Sequence, residues 1–404
     1  MDTPAMLQLL NDPMGVPFYP VVFQVLMVLT FALHILFVNL SLGATCLTVI
    51  GRLKGGERWT RLAGGMGQAA TASVSGAILL GVAPLLFVQV IYDPFWYASS
   101  NLSAAWAIGF IFILMAGYAS LYLARDRQGD AGSAFAGFAF AMFLTAGFIM
   151  HVLGFQLLQP EKWLGWYTSH GAASTAGTVL HDFSLPRFLH FVVPAFAVTG
   201  VFLMLYSWYF RARADADAAY LDWAGRLGAK MAFHATTIEI LTGLLWLIVL
   251  PRDLRFHAHP LFVLGVVLGL GLLAFLYHAQ DRETGHHLYA WPAAGAMFAT
   301  VLEMAAAREA LRVRYLARFG YAIADHRLNI DWGSTTLFFV TFVLCLVVLA
   351  WILAVAFRSG RVAGRWEAGP GMKAWGKASI ALLVSWLAVV AGLGVAITLR
   401  NRGL

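Results

Sequence analysis

The sequence predicts an all-α integral membrane protein, a polytopic bundle of about ten transmembrane helices, and three observations support this. The chain has 404 residues, is 60% hydrophobic and is only 12% charged, which excludes an ordinary soluble domain. Its apolar residues form runs of roughly 20 residues or more, the length that crosses a hydrocarbon core of ~30 Å. Basic residues are concentrated in the short segments between the runs, as expected for topology signals.

Ten apolar runs are separated by polar residues. We predict spans at residues 20-51, 67-92, 103-124, 132-158, 186-211, 228-250, 260-280, 288-310, 333-358 and 373-399. The eighth run is the weakest because Pro292, Glu303 and Arg308 interrupt it, and without it the count is nine. We treat residues 1-404 as one integral membrane domain without an internal repeat.

The connectors also predict an orientation. Arg52 and Lys54 follow the first span, and Arg125 and Arg127 follow the third. Because basic connectors stay on the cytoplasmic side, the N-terminus is predicted to be outside. The segment after the eighth span then carries its arginines on the outer side, which indicates a docking face for an acidic partner, interfacial anchoring or an error in the topology. These are Arg312, Arg314, Arg318 and Arg327.

Residues 159-185, rich in aromatic side chains, are predicted to lie flat on the membrane.

Histidines inside the apolar runs are the main functional signal. They are His34, His151, His190 and His234, and His278 lies at the end of a run. An imidazole in hydrocarbon is unfavourable unless its ring nitrogens have partners, so the leading hypothesis is axial ligation of haem iron. His151 and His190 are predicted at similar shallow depths below the outer surface, where they would face each other across one haem. His34, near the middle of its span, and His234, near the inner surface, are candidates for a second and geometrically looser site.

The cysteines limit the type of haem. Only Cys46 and Cys345 are present, and there is no Cys-x-x-Cys-His, which excludes covalent haem c and a cysteine-ligated cluster. One or two non-covalent haems b are therefore predicted.

Two other interpretations of the histidines remain open. Each histidine could donate to a backbone carbonyl within the bundle. Alternatively, the histidines could relay protons together with Glu239 and Glu303 in a cofactor-free transporter or proton-conducting bundle. Glu303, next to Met304, also fits a role in helix packing or a place beside haem propionates.

Two segments resemble a known family. Phe31-Ala-Leu-His34, continuing to Leu42-Gly43, resembles the first helix of the larger subunit of cytochrome bd quinol oxidases. Arg187-Phe-Leu-His190, followed by Val198-Thr199-Gly200, resembles the fifth helix of that subunit. The resemblance implies a high-spin haem at His34, a low-spin haem at His190 and a second, similar membrane subunit. It also implies a haem-binding part at 20-250, with additional transmembrane helices at 251-404.

The chain departs from this family at three places. Residues 104-124 contain no Asp or Glu, where the family has two carboxylates at its oxygen-reducing haems. Only residues 251-259 stand in place of a long quinol-binding loop, and the seventh span, 260-280, lacks the methionine that ligates the low-spin haem. His151 is therefore our predicted partner of His190, because a bis-histidine haem stays low-spin and redox-active.

These observations predict an electron-transfer subunit of an oxidoreductase complex in the bacterial cytoplasmic (inner) membrane. Electrons would pass between a membrane quinone and a haem or iron-sulfur partner. Membrane lipid, other membrane subunits and an outer-side redox protein such as a c-type cytochrome are the predicted partners. No basic patch suited to nucleic acid is present. A quinol-oxidising oxygen reductase is the alternative that the family resemblance supports.

Overall fold

The computed structural model describes residues 13–127, 129–168, 172–282 and 285–401. Within these ranges the chain is helical, and the only extended pairing is an isolated bridge between Val16 and Leu328. Ten helical segments are long and apolar enough to cross a membrane. The predicted all-α polytopic bundle of ten spans is confirmed, and the chain is a multi-pass membrane protein.

The described residues form thirteen α-helices. They are α1 Pro20–Lys54, α2 Glu57–Ile91, α3 Asp93–Leu102, α4 Ala104–Asp126, α5 Gly129–Gln156, α6 Pro160–Tyr167, α7 Leu185–Val192, α8 Pro194–Phe210, α9 Ala218–Val249, α10 Pro260–Gln280, α11 Ala290–Ala317, α12 Trp332–Ser359 and α13 Pro370–Asn401. Helices α7 and α8 together form one span, and a 3₁₀ turn at His286–Tyr289 extends the span of α11. The short helices α3 and α6 lie in connectors.

Two helices extend well beyond the apolar runs that predicted them. Helix α2 begins at Glu57 rather than at residue 67, and α9 begins at Ala218 rather than at residue 228. Aromatic packing stabilises these extensions, because the rings of Trp59 and Trp223 meet edge to face with centroids 5.1 Å apart. Hydropathy marks the part of a helix that lies in hydrocarbon, so polar extensions are missed.

The fifth span is broken between α7 and α8. Pro194 has no backbone N–H, so it cannot donate to the carbonyl of His190 four residues earlier. The break therefore falls one turn after His190 and leaves its carbonyl without the regular helical partner. Nothing in the apolar pattern alone distinguishes this broken span from a continuous one.

The chain forms two compact units. The first contains the described residues up to Trp208 and those from Ala219 to Leu328, and the second contains Tyr209–Ala218 and the described residues from Asn329 onward. Within the second unit, α12 and α13 are joined by two indole N–H donors: Trp386 donates to Thr341 Oγ1 at 2.9 Å and Trp351 to the carbonyl of Met372 at 3.2 Å. The single domain and the division at residue 251 remain predictions.

Within the first unit, consecutive spans run in opposite directions. Helices α1, α4, α7 and α10 begin where α2, α5, α9 and α11 end, which we call the Pro20 end. Contacts between distant parts of the sequence support this arrangement. Gln24, early in α1, donates to Glu309, late in α11, at 3.1 Å, and Ser99 of α3 donates to the carbonyl of Leu153, late in α5, at 2.7 Å.

Small residues bring α8 and α9 into close contact. A Cβ atom added at Gly200 would lie 2.5 Å from the backbone nitrogen of Ala232 and 2.6 Å from the carbonyl oxygen of Gly228. Helix backbones approach this closely in membranes only where side chains are minimal. The crossing supports the site described below, because α7, which carries His190, leads directly into α8.

We predict that Gly200→Val lowers the thermal stability of the detergent-solubilised protein, since backbone atoms cannot move aside as a side chain can. Overpacking of this kind costs about 1–3 kcal/mol. Gly109→Val in α4 is the matched control, because a Cβ at Gly109 meets nothing within 4 Å. Fluorescence-detected size-exclusion chromatography after heating would give the melting temperature of both variants. Equal melting temperatures for the two would contradict the α8–α9 crossing.

Candidate functional site

A cavity of about 230 Å³ lies within the first unit, bounded by α1 and by α7 to α11. Its wall is mainly apolar and aromatic, and it includes Phe31, Phe191 and Trp246. The ionisable side chains that line it are His190, Glu239, Glu303 and Arg308. An apolar cavity with a few converging polar groups is the usual form of a ligand site.

His190 is held by a carboxylate on the neighbouring helix. Its Nδ1 atom lies 2.8 Å from Glu239 Oε1, and both side chains are largely buried. The other carboxylate oxygen of Glu239 accepts from the hydroxyl of Thr242 at 3.1 Å. At this distance the two groups form an ion pair when the ring is protonated, so Nδ1 faces Glu239 and Nε2 is the ring nitrogen left for a ligand.

A glycine makes room for this imidazole. A Cβ atom at Gly243, one turn after Glu239, would lie 2.9 Å from Cε1 of His190. The ring also packs against Trp246, with centroids 5.3 Å apart. The pattern Glu-x-x-x-Gly on α9 thus provides both the partner and the space for His190.

Two methionines of α11 line the same cavity, and sequence reasoning missed them. Met297 and Met304 face it together with Glu303 and Arg308. The family resemblance predicts a haem-ligating methionine in the seventh span only. The sequence does contain a signal for this part of the cavity, namely the charged residues of the eighth span, because an ionisable residue inside a span indicates a functional cavity.

His151 lies in a different environment. It is 7% exposed, and its ring packs among phenylalanines, with Phe188 at 5.4 Å and Phe155 stacked at 6.2 Å. Its Nε2 accepts from the backbone N–H of Ser184 at 3.2 Å, and its Nδ1 has no hydrogen-bond partner among the described residues. The described wall of the 230 Å³ cavity does not include His151. Its pairing with His190 remains a prediction that this packing does not favour.

His34 also lies against a glycine. Its Nδ1 donates to the carbonyl of Ala77 at 2.9 Å, and a Cβ atom at Gly81 would lie 2.8 Å from its ring. Because a carbonyl can only accept, the proton is on Nδ1 and Nε2 is available. His34 therefore remains a candidate haem ligand, outside the described lining of the cavity.

The other intramembrane histidines face outward. His234 is exposed on the surface of the described structure and contacts its neighbour Phe233. His278 is exposed too, and its Nε2 lies 2.9 Å from a guanidinium nitrogen of Arg282. The structure does not bring His234 to His190 or to His34, so a role for it in haem binding stays a prediction.

Glu303 is the most isolated carboxylate of the cavity. It is 7% exposed, and neither carboxylate oxygen has a hydrogen-bond partner among the described residues. The side chain lies against Gly265 of α10, where a Cβ atom would collide with it. Gly265 therefore allows close packing against Glu303, and both Gly265 and Gly269 line the cavity.

A cluster of arginines lies toward the Pro20 end of the cavity. Arg187, Arg308 and Arg312 line a smaller cavity of about 20 Å³, and Arg308 lines the large one as well. Glu309 Oε2 pairs with Arg312 at 2.8 Å, and its Oε1 accepts from Gln24 and from the phenol of Tyr92. Burial and the Glu309 charge raise the pKa of Tyr92 well above its ordinary value, so the phenol stays a donor.

The basic segment after the eighth span is mostly used for internal contacts. Arg312 is buried, Arg314 donates to the carbonyl of Leu254 at 2.6 Å, and Arg318 pairs with Asp253 at 3.2 Å. Arg327 is exposed, and its side chain makes no such contact with the residues that the structure describes. These contacts fasten the end of α11 to the turns before α10, and they leave little of the expected docking face.

Two connector histidines pack against the protein. His181 stacks on Trp166 at 5.2 Å, within the segment predicted to lie on the membrane. That segment is fastened to the bundle, because Trp106 donates to the carbonyl of Thr178 at 2.7 Å. His286 is 1% exposed, and neither of its ring nitrogens has a partner among the described residues. A third connector histidine, His170, lies outside the described residues.

Comparison with solved structures identifies the fold. A chain of the bd oxidase from Geobacillus thermodenitrificans is similar to this one with a TM-score of 0.60 and 14% sequence identity, over 85% of this chain and 98% of that one. No family model matches the chain, and no curated protein matches it. The chain therefore has a distant cytochrome bd-like fold. At this identity the likeness establishes the fold alone, so the relation to the larger subunit stays a proposal.

We predict that Glu309→Gln strongly destabilises the protein, because it leaves the buried guanidinium of Arg312 without a carboxylate. Breaking a buried ion pair costs about 3–5 kcal/mol. Asp253→Asn removes the exposed partner of Arg318 and should cost less than about 1 kcal/mol. Thermal melting in detergent compares the two variants. A Glu309→Gln protein as stable as Asp253→Asn would show that Glu309 does not hold the cluster together.

Proposed function

We propose that the protein is a haem b-containing electron-transfer subunit of a membrane oxidoreductase complex. One observation carries the proposal: His190 presents Nε2 beside an apolar cavity while Glu239, 2.8 Å from Nδ1, fixes its ring. A carboxylate or carbonyl on the far nitrogen is the usual support for a metal-ligating histidine, because it sets the tautomer and orients the ring. The cytochrome bd-like fold supports the same assignment.

The residues around His190 fit a porphyrin. Phe31, Phe191 and Trp246 provide flat apolar surface, and Gly269 leaves open space in the wall. The volume of about 230 Å³ is below the ~300–1,000 Å³ typical of ligand sites. A macrocycle therefore requires the long side chains that enter the cavity, Met304 and Arg308, to change rotamer. When bound, haem would supply one-electron chemistry, and the protein would set its position and exclude water.

Met304 is the best candidate for a second residue that would hold the haem iron together with His190. It lines the cavity that His190 lines, whereas His151 is packed among phenylalanines with Nε2 already accepting from Ser184. Histidine–methionine ligation is common in electron-transfer cytochromes and raises the reduction potential relative to bis-histidine ligation. This proposal replaces the partner inferred from the sequence, His151, with a residue of the eighth span.

The wider assignment follows from this site. The protein would exchange electrons with a membrane quinone and with an outer-side redox partner, such as a c-type cytochrome, in the bacterial cytoplasmic membrane. A second membrane subunit would complete the complex. The absence of acidic residues from 104-124 argues against oxygen reduction as in the resembled family. His34, with Nε2 available, would hold a second haem if two are bound.

A cofactor-free proton-conducting bundle is the second candidate function. Glu303 supports it, because a buried carboxylate without a partner is typical of proton-carrying sites in membranes. An absorbance spectrum of the purified protein, oxidised and then reduced, separates the two candidates. A colourless protein from cells well supplied with haem would leave the proton-conducting bundle as the function.

We predict that His190→Ala abolishes a low-spin haem band in the reduced spectrum, because it removes the ligand that Glu239 orients. His234→Ala is the matched control, since His234 is another histidine within a span but is exposed. Haem content from the pyridine haemochrome, measured with the spectrum, would report the loss. If His190→Ala kept the wild-type spectrum, His190 would not be a ligand.

We predict that Met304→Leu converts the low-spin haem to a high-spin one, because leucine keeps the bulk of methionine but cannot bind iron. His151→Leu should leave the spin state unchanged. Electron paramagnetic resonance of the oxidised proteins, together with the visible spectra, distinguishes these outcomes. A change of spin state in His151→Leu, with none in Met304→Leu, would show instead that His151 and His190 bind the haem iron together.

A further inference from the structure

The arginine cluster of Arg187, Arg308 and Arg312 is a site that the proposed redox chemistry leaves unexplained. Arg187 is 5% exposed and Arg312 is 8% exposed, on α7 and α11 respectively. Three guanidinium groups thus share one end of the bundle interior. Buried cations are unfavourable unless anionic or other hydrogen-bonding groups surround them.

The protein itself supplies too little negative charge for this cluster. Glu309 is the carboxylate that contacts it among the described residues, and it pairs with Arg312 at 2.8 Å. Among the residues that the structure describes, Arg187 donates to the carbonyl oxygens of His151 and Gly154, both at 3.4 Å. Three cations and one carboxylate therefore leave two positive charges without a counterion.

Arg308 is the least satisfied of the three. Its Nε atom is buried without a hydrogen-bond partner among the described residues, and its guanidinium lies over the ring of Phe31, 4.3 Å from the centroid. Arg308 also lines both cavities, so it connects the arginine cluster with the cavity of His190. A cation held against an aromatic ring beside an open cavity is positioned to meet an anion that enters it.

The cluster lies one helical turn from both candidate iron ligands. Arg187 precedes His190 by three residues on α7, and Arg308 follows Met304 by four on α11, so each pair shares a helix face. Because α7 begins at the Pro20 end and α11 ends there, both arginines are displaced toward that same end. A ligand bound at His190 would therefore meet guanidinium groups along one edge.

We propose that Arg187, Arg308 and Arg312 form a carboxylate-binding subsite, which takes the two propionates of the haem anchored by His190. The inference rests on the proposed function. Two unbalanced positive charges match two carboxylates that project from one edge of a porphyrin. Arginine binds carboxylates through parallel N–H donors, so the subsite would fix the rotation of the macrocycle about the axial bond as well as its charge.

Binding of haem b and of its dimethyl ester tests the subsite directly. The ester keeps the iron and the macrocycle but removes both carboxylates. The full-length protein, produced haem-free in detergent, would be titrated with each compound and followed by absorbance. Wild-type protein should bind haem b roughly tenfold to a hundredfold more tightly than the ester, as expected for charge-assisted hydrogen bonds. In Arg308→Gln the ratio of affinities should fall toward one, because only haem b loses a contact.

Two further variants control this measurement. Arg318→Gln removes an arginine just beyond α11 that pairs with Asp253, and it should keep the wild-type ratio. Arg308→Lys keeps the charge and should retain part of the preference, which covers the case that Arg308→Gln does not fold. Equal affinity of wild-type protein for haem b and the ester would overturn the subsite while leaving His190 as an iron ligand. Binding of neither compound would overturn the proposed function together with the subsite.

A free anion is the other source of carboxylate. If the cluster binds one, acetate should raise the melting temperature of the haem-free wild-type protein but not of Arg308→Gln, and haem b and the ester should bind equally. That pattern would overturn the assignment to propionates. Stabilisation by acetate together with a strong preference for haem b would support it, because acetate would then occupy the propionate positions.

Discussion

The interior of this bundle depends on satisfying polar groups without water. In hydrocarbon an imidazole or a carboxylate is unfavourable without a partner, and His190 and Glu239 lie against each other across α7 and α9, with Nδ1 2.8 Å from Oε1. That contact determines which ring nitrogen faces the cavity. It also explains why Glu239 is tolerated in a span, since its second oxygen accepts from Thr242 on its own helix. The chemistry of the cavity follows from this one pair.

Glycine and proline create the space that the pair requires. Gly243 leaves a notch for the ring of His190, as Gly81 does for that of His34, so a planar side chain can lie flat against the neighbouring helix. Pro194 breaks the span just beyond His190 because it cannot donate to the carbonyl of that residue. Small residues on α8 and α9 then bring the two helices together behind the site.

The sequence predicted the spans and their number because lipid imposes a length and an apolarity on each helix. The pairing of His151 with His190 across one haem stays a prediction. Counting residues from a span end gives the depth of His151 and of His190, but their contact also depends on how each helix is rotated. Rotation is set by packing, and phenylalanines hold the ring of His151. The place of Met304 in the cavity wall was not predicted, because the family resemblance implies a methionine in the seventh span. The burial of Arg312 was not predicted either, because a basic connector residue is normally exposed.

The charge distribution around the cavity favours a bound anionic cofactor over a proton path. A proton path benefits from carboxylates with water between them, and positive charges beside it oppose the entry of protons. Here Glu239 is committed to His190, and three guanidinium groups occupy the Pro20 end of the same interior. Of the described carboxylates that line the cavity, Glu303 is the one with neither oxygen hydrogen-bonded. A cofactor with iron in its centre and carboxylates on one edge would instead use the imidazole, the apolar walls and the arginines together. Such a cofactor accounts for all three features, whereas a proton path leaves the buried positive charge without a role.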